Sequence, residues 1–144
     1  MPRPVTTARR PADWPERLGE FIRERRTQPF VWGTQDCVTL ACDAVVLMIG
    51  IDPWEGLRGT YATEAEAEAM TAAAGGPEAL VAARMAAAGL PECSARFAQR
   101  GDVALVEIGN QLMLGVVLIG RVAVPGADRL QFVPMSNVRR VWAV

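Results

Sequence analysis

The position in this sequence best suited to chemistry is a cysteine at the first turn of an apolar helix. Trp32-Gly33-Thr34-Gln35-Asp36-Cys37 leads into a run to Ile49 in which Cys37, Leu40, Ala41, Ala44, Val45 and Met48 share one face. Helix N-termini favour anions, so a thiolate there is expected to be stabilised and the thiol pKa lowered, as a nucleophilic cysteine requires. The alternative is a small core residue that begins a helix. Trp32, Gly33 and Asp36, with Trp54 and Tyr61 further on, are the residues expected to line a groove beside Cys37. Composition removes the usual catalytic partner. There is no histidine, and all 15 cationic side chains are arginine. Imidazole acid–base catalysis and histidine metal ligation are therefore impossible within this chain. Asp36 and Asp43 are the nearest acids, and Asp43 falls on the opposite side of the helix from Cys37. Cys37, Cys42 and Cys93 are odd in number, and their spacing matches no strong metal or iron–sulfur pattern. Reduced thiols are expected, with no metal and no cofactor.

The elements that position these residues follow from patterning. With 144 residues, 51% hydrophobic and 22% charged, the chain suits one cored domain and is not disordered. A net charge of −1 leaves no global nucleic-acid footprint. The longest apolar run, Ala44 to Ile49, is too short for a membrane span, and Arg3, Arg9 and Arg10 precede no secretory apolar stretch. Residues 1–12, rich in Pro and Arg, are expected to form a flexible or partner-bound arm ahead of a single domain at 13–144. Asp13 as N-cap, Pro15 and Glu16 in the first turn, and Trp14, Leu18, Phe21 and Ile22 at helical spacing predict a helix ending near Arg26. Gly50 caps the Cys37 helix. Thr63-x-x-Glu66 opens a third helix closed by Gly75-Gly76, and Pro77 opens a fourth ending at Gly89. Both are Ala-rich with weak apolar faces, which places them on the outside of the fold or against a neighbour. After the turn at Gly101-Asp102, β-rich runs follow: Val103–Ile108, Leu112–Ile119, Arg121–Val124, Leu130–Pro134 and Val138–Ala143. Helices first and short strands afterwards predict an α+β fold, with the helices packed on a C-terminal antiparallel sheet or partial barrel.

The order of these motifs resembles the NlpC-type cell-wall peptidases, compact papain-like enzymes. In them an aromatic-Gly pair precedes a helix-opening Asp-Cys, as Trp32-Gly33 precedes Asp36-Cys37. A Gly-Asp turn then opens the sheet, matched by Gly101-Asp102, and a following strand supplies the histidine base. Met113-Leu114-Gly115-Val116-Val117-Leu118 stands in that strand's place, so the resemblance puts Met113 at the histidine position and Cys37 at the nucleophile position. The Ser-Gly that follows the family's nucleophile is Val38-Thr39 here. A thioether accepts no proton at neutral pH, which breaks the papain-like mechanism.

Nearly the whole chain also resembles a group of small phage-encoded proteins related to that fold. The shared features are the Trp-Gly-x-x-Asp-Cys start, Gly50-Ile51-Asp52-Pro53, Gly59-Thr60-Tyr61 and the final aromatic strand at Val141-Trp142-Ala143. The resemblance implies a structural part of the tail tip or baseplate of a long-tailed phage or gene-transfer agent, made in the host cytoplasm and carried in the virion. Its partners would be other tail proteins, with peptidoglycan as a further ligand; neither nucleic acid nor membrane is implied. The alternative is an active cysteine hydrolase of peptidoglycan peptides that uses a base other than histidine or one supplied by a partner. A cytoplasmic regulatory or toxin-neutralising binding domain is the third expectation.

Overall fold

In the computed structural model, which describes residues 3, 4, 6 and 8–144, helices precede strands in an α+β arrangement. The remaining arm positions Met1, Pro2, Val5 and Thr7 lie outside the described residues. Four helices, α1 (Trp14–Arg26), α2 (Cys37–Ile49), α3 (Glu64–Ala73) and α4 (Pro77–Ala87), come before β1 (Glu92–Cys93). β2 (Val103–Ile108), β3 (Gln111–Val117), β4 (Arg121–Pro125), β5 (Leu130–Pro134) and β6 (Val138–Trp142) complete one antiparallel sheet in the order β1-β6-β2-β3-β4-β5. No described helix is long and apolar enough to cross a membrane.

Local chemistry explains the helix ends. Asp36 accepts from the Thr39 backbone N–H while the Thr39 hydroxyl accepts from the Asp36 N–H, so α2 begins on a reciprocal capping box. It ends on Gly50 in the left-handed conformation. Asp13 behaves differently from expectation: it caps no backbone N–H of α1 and pairs instead with Arg17 one turn on.

Side-chain alternation in the strands gives the sheet two working faces. Val103, Leu105, Leu114, Val116 and Trp142 join α2 and the buried residues of the other helices in the main core. Ala104, Val106, Val117, Val122, Val124, Val133 and Val141 form a second cluster on the opposite face. None of the four α-helices contributes a buried residue to that cluster; Cys93, Ala98 and Met135 are among the residues packed against it. Gly115 permits the close approach of β4 to β3. A Cβ there would lie 2.5 Å from the Ala123 carbonyl oxygen and 2.7 Å from a methyl of Val122. The Ala-rich helices also take part in the core: Ala67 of α3 and Leu80, Val81 and Met85 of α4 are buried in it.

The turn at Gly101-Asp102 holds the most concentrated polar contact of the fold. Asp102 is fully buried. Arg3 grips both of its oxygens, Nη1 to Oδ2 at 2.5 Å and Nη2 to Oδ1 at 2.7 Å, and Arg10 Nη2 lies 3.3 Å from Oδ1. The backbone N–H groups of Gln99 and Val144 donate to the same carboxylate at 2.7 and 3.0 Å. Arg10 also donates to the carbonyls of Val144 and Arg100. Gly101 makes room for this packing, since a Cβ there would meet Met48 Cε at 2.6 Å and Arg10 Nη1 at 2.9 Å. Where the sequence suggests a free or partner-held arm, Arg3 and Arg10 are thus bound to the domain's own interior. A buried carboxylate requires cationic partners, and the arm supplies them across some 90 residues of separation.

Candidate functional site

Trp32, Asp36, Cys37, Trp54 and Tyr61, named from sequence as groove residues, come together around one pocket of about 100 Å³. It lies between the start of α2, the α3–α4 pair and strands β2 and β3. Gly33 stands just behind, its N–H donating to Asp36 Oδ2 at 2.9 Å. The Tyr61 hydroxyl donates to the same oxygen at 2.6 Å. Asp36 Oδ1 takes the Thr39 N–H at 2.8 Å and has the Thr39 hydroxyl at 3.0 Å. Every lone-pair direction of this buried carboxylate is occupied, so Asp36 is a scaffold for the helix start and has no capacity left as a proton acceptor.

The loop bearing Trp54 is tied down in a similar way. Asp52 accepts from the Trp54 N–H at 3.0 Å and from Arg58 Nε at 2.6 Å. Arg58 also pairs with Asp43, which is shared with Arg25 at 2.7 Å. Asp43 is therefore committed to two arginines on the far side of α2 and is no base for Cys37. Arg25, one of the α1 arginines, further donates to the buried Gln35 at 2.9 Å.

Cys37 itself retains some surface while its sulfur is enclosed by protein. Burial pushes the thiol up to about 11, against the lowering expected from the helix start. The magnitudes account for the reversal. A helix terminus is worth about 0.3–1 kcal/mol to a charge, less than one pKa unit, whereas desolvation moves buried groups by up to about 3–5 units. Backbone N–H groups of Leu114, Val38 and Cys37 near the sulfur offset only part of this. Burial, followed by the hydrogen bond to Asp36, likewise raises the Tyr61 phenol above its ordinary range.

The strand that the resemblance set in the place of the histidine strand does face Cys37, but through other residues. Leu112 and Leu114 line the pocket, whereas Met113 packs into the second cluster on the opposite face of the sheet. The parity is fixed by register: Leu114 pairs with Leu105 and Met113 with Val106, and these pairs lie in different clusters. Two leucines thus stand opposite the thiol. Sequence reasoning missed Leu112 and Leu114 as site residues, and it missed the α3–α4 wall of Ala67, Leu80 and Val81. The alternation of β3, with Val116 in the main core, was the signal that identifies the leucines. Among the described residues no group of three or more acidic, cysteine or histidine side chains is placed to hold a metal ion.

Thiol chemistry tests this description. At pH 7.5 Cys37 is expected to react with iodoacetamide at least about a hundredfold more slowly than in the unfolded chain, with the rate rising about tenfold per pH unit until near 11. Peptide mass spectrometry distinguishes Cys37 from Cys93. The folded-state pKa lies above the unfolded one, so the stabilisation from the buried neutral thiol is complete below about pH 9 and lost as pH rises through about 11. Denaturant midpoints across that window should fall further in the native protein than in Cys37→Ala.

Among known proteins, no curated sequence and no solved structure matches the chain. One family model does, over residues 9–144, a stretch that takes in Arg10, the Cys37 pocket and the whole sheet. The chain belongs to the family described as a domain of unknown function (DUF6950).

Proposed function

We propose that this protein is a structural component of the tail tip or baseplate of a long-tailed phage or gene-transfer agent, built on a papain-like, NlpC-type scaffold that does not cleave. The observation that carries the non-catalytic part is the pair Leu112 and Leu114 opposite the Cys37 thiol, where a cysteine peptidase needs a proton acceptor. The nearby carboxylates cannot substitute, since Asp36 is saturated and Asp43 is held by Arg25 and Arg58. The tail assignment draws its support from the resemblance of Trp32-Gly33-x-x-Asp36-Cys37, Gly50-Ile51-Asp52-Pro53 and Gly59-Thr60-Tyr61 to small phage proteins. With activity absent, such a fold contributes rigid surface to a larger assembly.

The second reading is a hydrolase completed by a base from a neighbouring chain. What favours it is the backbone N–H groups of Leu114, Val38 and Cys37 near the sulfur, which favour a thiolate. Quantitative mass spectrometry of purified particles separates the two. A structural part is expected at a fixed copy number relative to the tail proteins, and particles carrying Cys37→Ala should assemble and infect at unchanged titre. Absence from particles overturns the tail assignment. Loss of infectivity with normal incorporation, accompanied by loss of wall-peptide cleavage, overturns the non-catalytic reading.

A further inference from the structure

Trp54 leaves a buried hydrogen-bond donor unused. Its indole is 1% exposed, and Nε1 has no hydrogen-bond partner. The ring stands edge-on to Tyr61, with centroids 6.3 Å apart, and its N–H lies near the Tyr61 hydroxyl without reaching hydrogen-bond geometry. Both rings line the pocket beside Cys37. Buried polar groups are nearly always satisfied, so an orphan donor at a pocket wall needs an acceptor from outside the chain.

We propose that this pocket binds a short aliphatic group bearing a neutral carbonyl, whose oxygen accepts the Trp54 indole N–H. The rest of the lining decides the chemistry. Ala67, Leu80, Val81, Leu105, Leu112 and Leu114 form an aliphatic wall that favours an alkyl group. The other polar side chains at the wall are already engaged: Tyr61 donates to Asp36, and the Thr71 hydroxyl donates to the Ala67 carbonyl at 2.7 Å. Apart from the lone pairs of the Tyr61 hydroxyl, which the indole does not reach in hydrogen-bond geometry, what remains is donors, the indole N–H and the Cys37 thiol, so the ligand supplies the acceptor. A ligand carboxylate would bring a second negative charge beside Asp36, which makes the acceptor neutral. A pocket of about 100 Å³ admits only a small group. An alanine- or valine-sized group with its carbonyl meets that limit. The partly exposed Trp32 and Met70 and the exposed Pro77 mark the side from which such a group enters. The site does not rest on the tail assignment, and failure of either leaves the other standing.

The test uses the 15N-labelled full chain, with the indole signals of its four tryptophans assigned by triple-resonance methods. Isobutyramide serves as the free carbonyl ligand and N-acetylalanine methylamide as the peptide-borne one. The expected result is a saturable downfield movement of the Trp54 indole signal with at least one of them. Saturation by isobutyramide alone identifies a small-molecule site, and tighter saturation by the methylamide identifies a site for a peptide segment. Trp54→Phe, which keeps the ring and removes the donor, should weaken binding at least tenfold by calorimetry. Ala67→Leu, which fills the pocket from helix α3, should abolish the indole response while the other signals keep their native dispersion. No saturation with either ligand, or a response that survives Ala67→Leu in a folded variant, overturns the proposal.

Discussion

Replacing Asp102 by asparagine is expected to cost the fold about 3–5 kcal/mol, the range found when one partner of a buried ion pair is removed. The carboxylate is solvent-free, and the change strips the anion from Arg3 and Arg10, whose side chains are only 19% and 13% exposed. Asparagine keeps one acceptor oxygen where five donor groups now converge, from Arg3 (twice), Arg10, Gln99 and Val144. Against a typical total stability of about 5–15 kcal/mol, the loss is large. Equilibrium urea unfolding reads it as a lower midpoint at unchanged slope. Arg3→Gln should cost clearly less, because Asp102 then retains Arg10 and both backbone donors. Equal costs for the two substitutions would mean that the Arg3 pair carries the whole effect and that Arg10 and the backbone donors add nothing.

Gly33→Ala is the second large effect, and its readout lies at the pocket. Gly33 has φ +87°, a left-handed conformation that costs an L residue about 1–2 kcal/mol. Its missing Cβ would also sit 2.5 Å from the Tyr61 carbonyl oxygen, a backbone atom that cannot swing aside as a side-chain end can. Adding overpacking of about 1–3 kcal/mol gives an expected destabilisation of about 2–5 kcal/mol. Relief of the clash moves Tyr61 or the Gly33 turn, and either movement loosens the grip on Asp36 Oδ2. Iodoacetamide labelling of Cys37 should therefore accelerate at least about tenfold at pH 7.5, well below any denaturing condition, as the thiol becomes hydrated. A destabilised variant with unchanged Cys37 labelling would show that the turn supports the fold without shaping the pocket.

How far the sequence carries depends on whether a feature is local. The α2 start is legible because Asp36 and Thr39 make their own capping box, and its end because Gly50 takes the left-handed conformation. β2 and β5 run over Val103–Ile108 and Leu130–Pro134, as their β-branched runs and flanking turn residues predict. The two-residue strand β1 carries no such signal and exists only through its pairing with Val141 and Trp142. The gathering of Trp32, Asp36, Trp54 and Tyr61 about Cys37 was legible from residue types. The raised thiol pKa was not, because it comes from packing, to which helices far along the chain contribute. The placing of Met113 opposite Cys37 shows how period-two alternation punishes small errors: a shift of one residue along β3 exchanges the pocket face for the second cluster. Nothing near Arg3 or Arg10 in sequence announces Asp102, so their docking was legible only in three dimensions.

That docking also bears on the order of folding events. The Arg3–Asp102 pair spans 99 residues, and the Val144–Asp102 bond closes 42 more on the other side. Closing such loops carries an entropy cost that grows with the logarithm of their length, and it is met before the contact returns anything. Local elements such as α2 and the β2–β3 hairpin, whose strands follow one another at once, can form early. The carboxylate cannot be desolvated cheaply until both flanks of the chain have arrived. The clamp is therefore expected to close last and open first, making the contacts of Arg3 and Arg10 with Asp102 the place where unfolding of this domain begins.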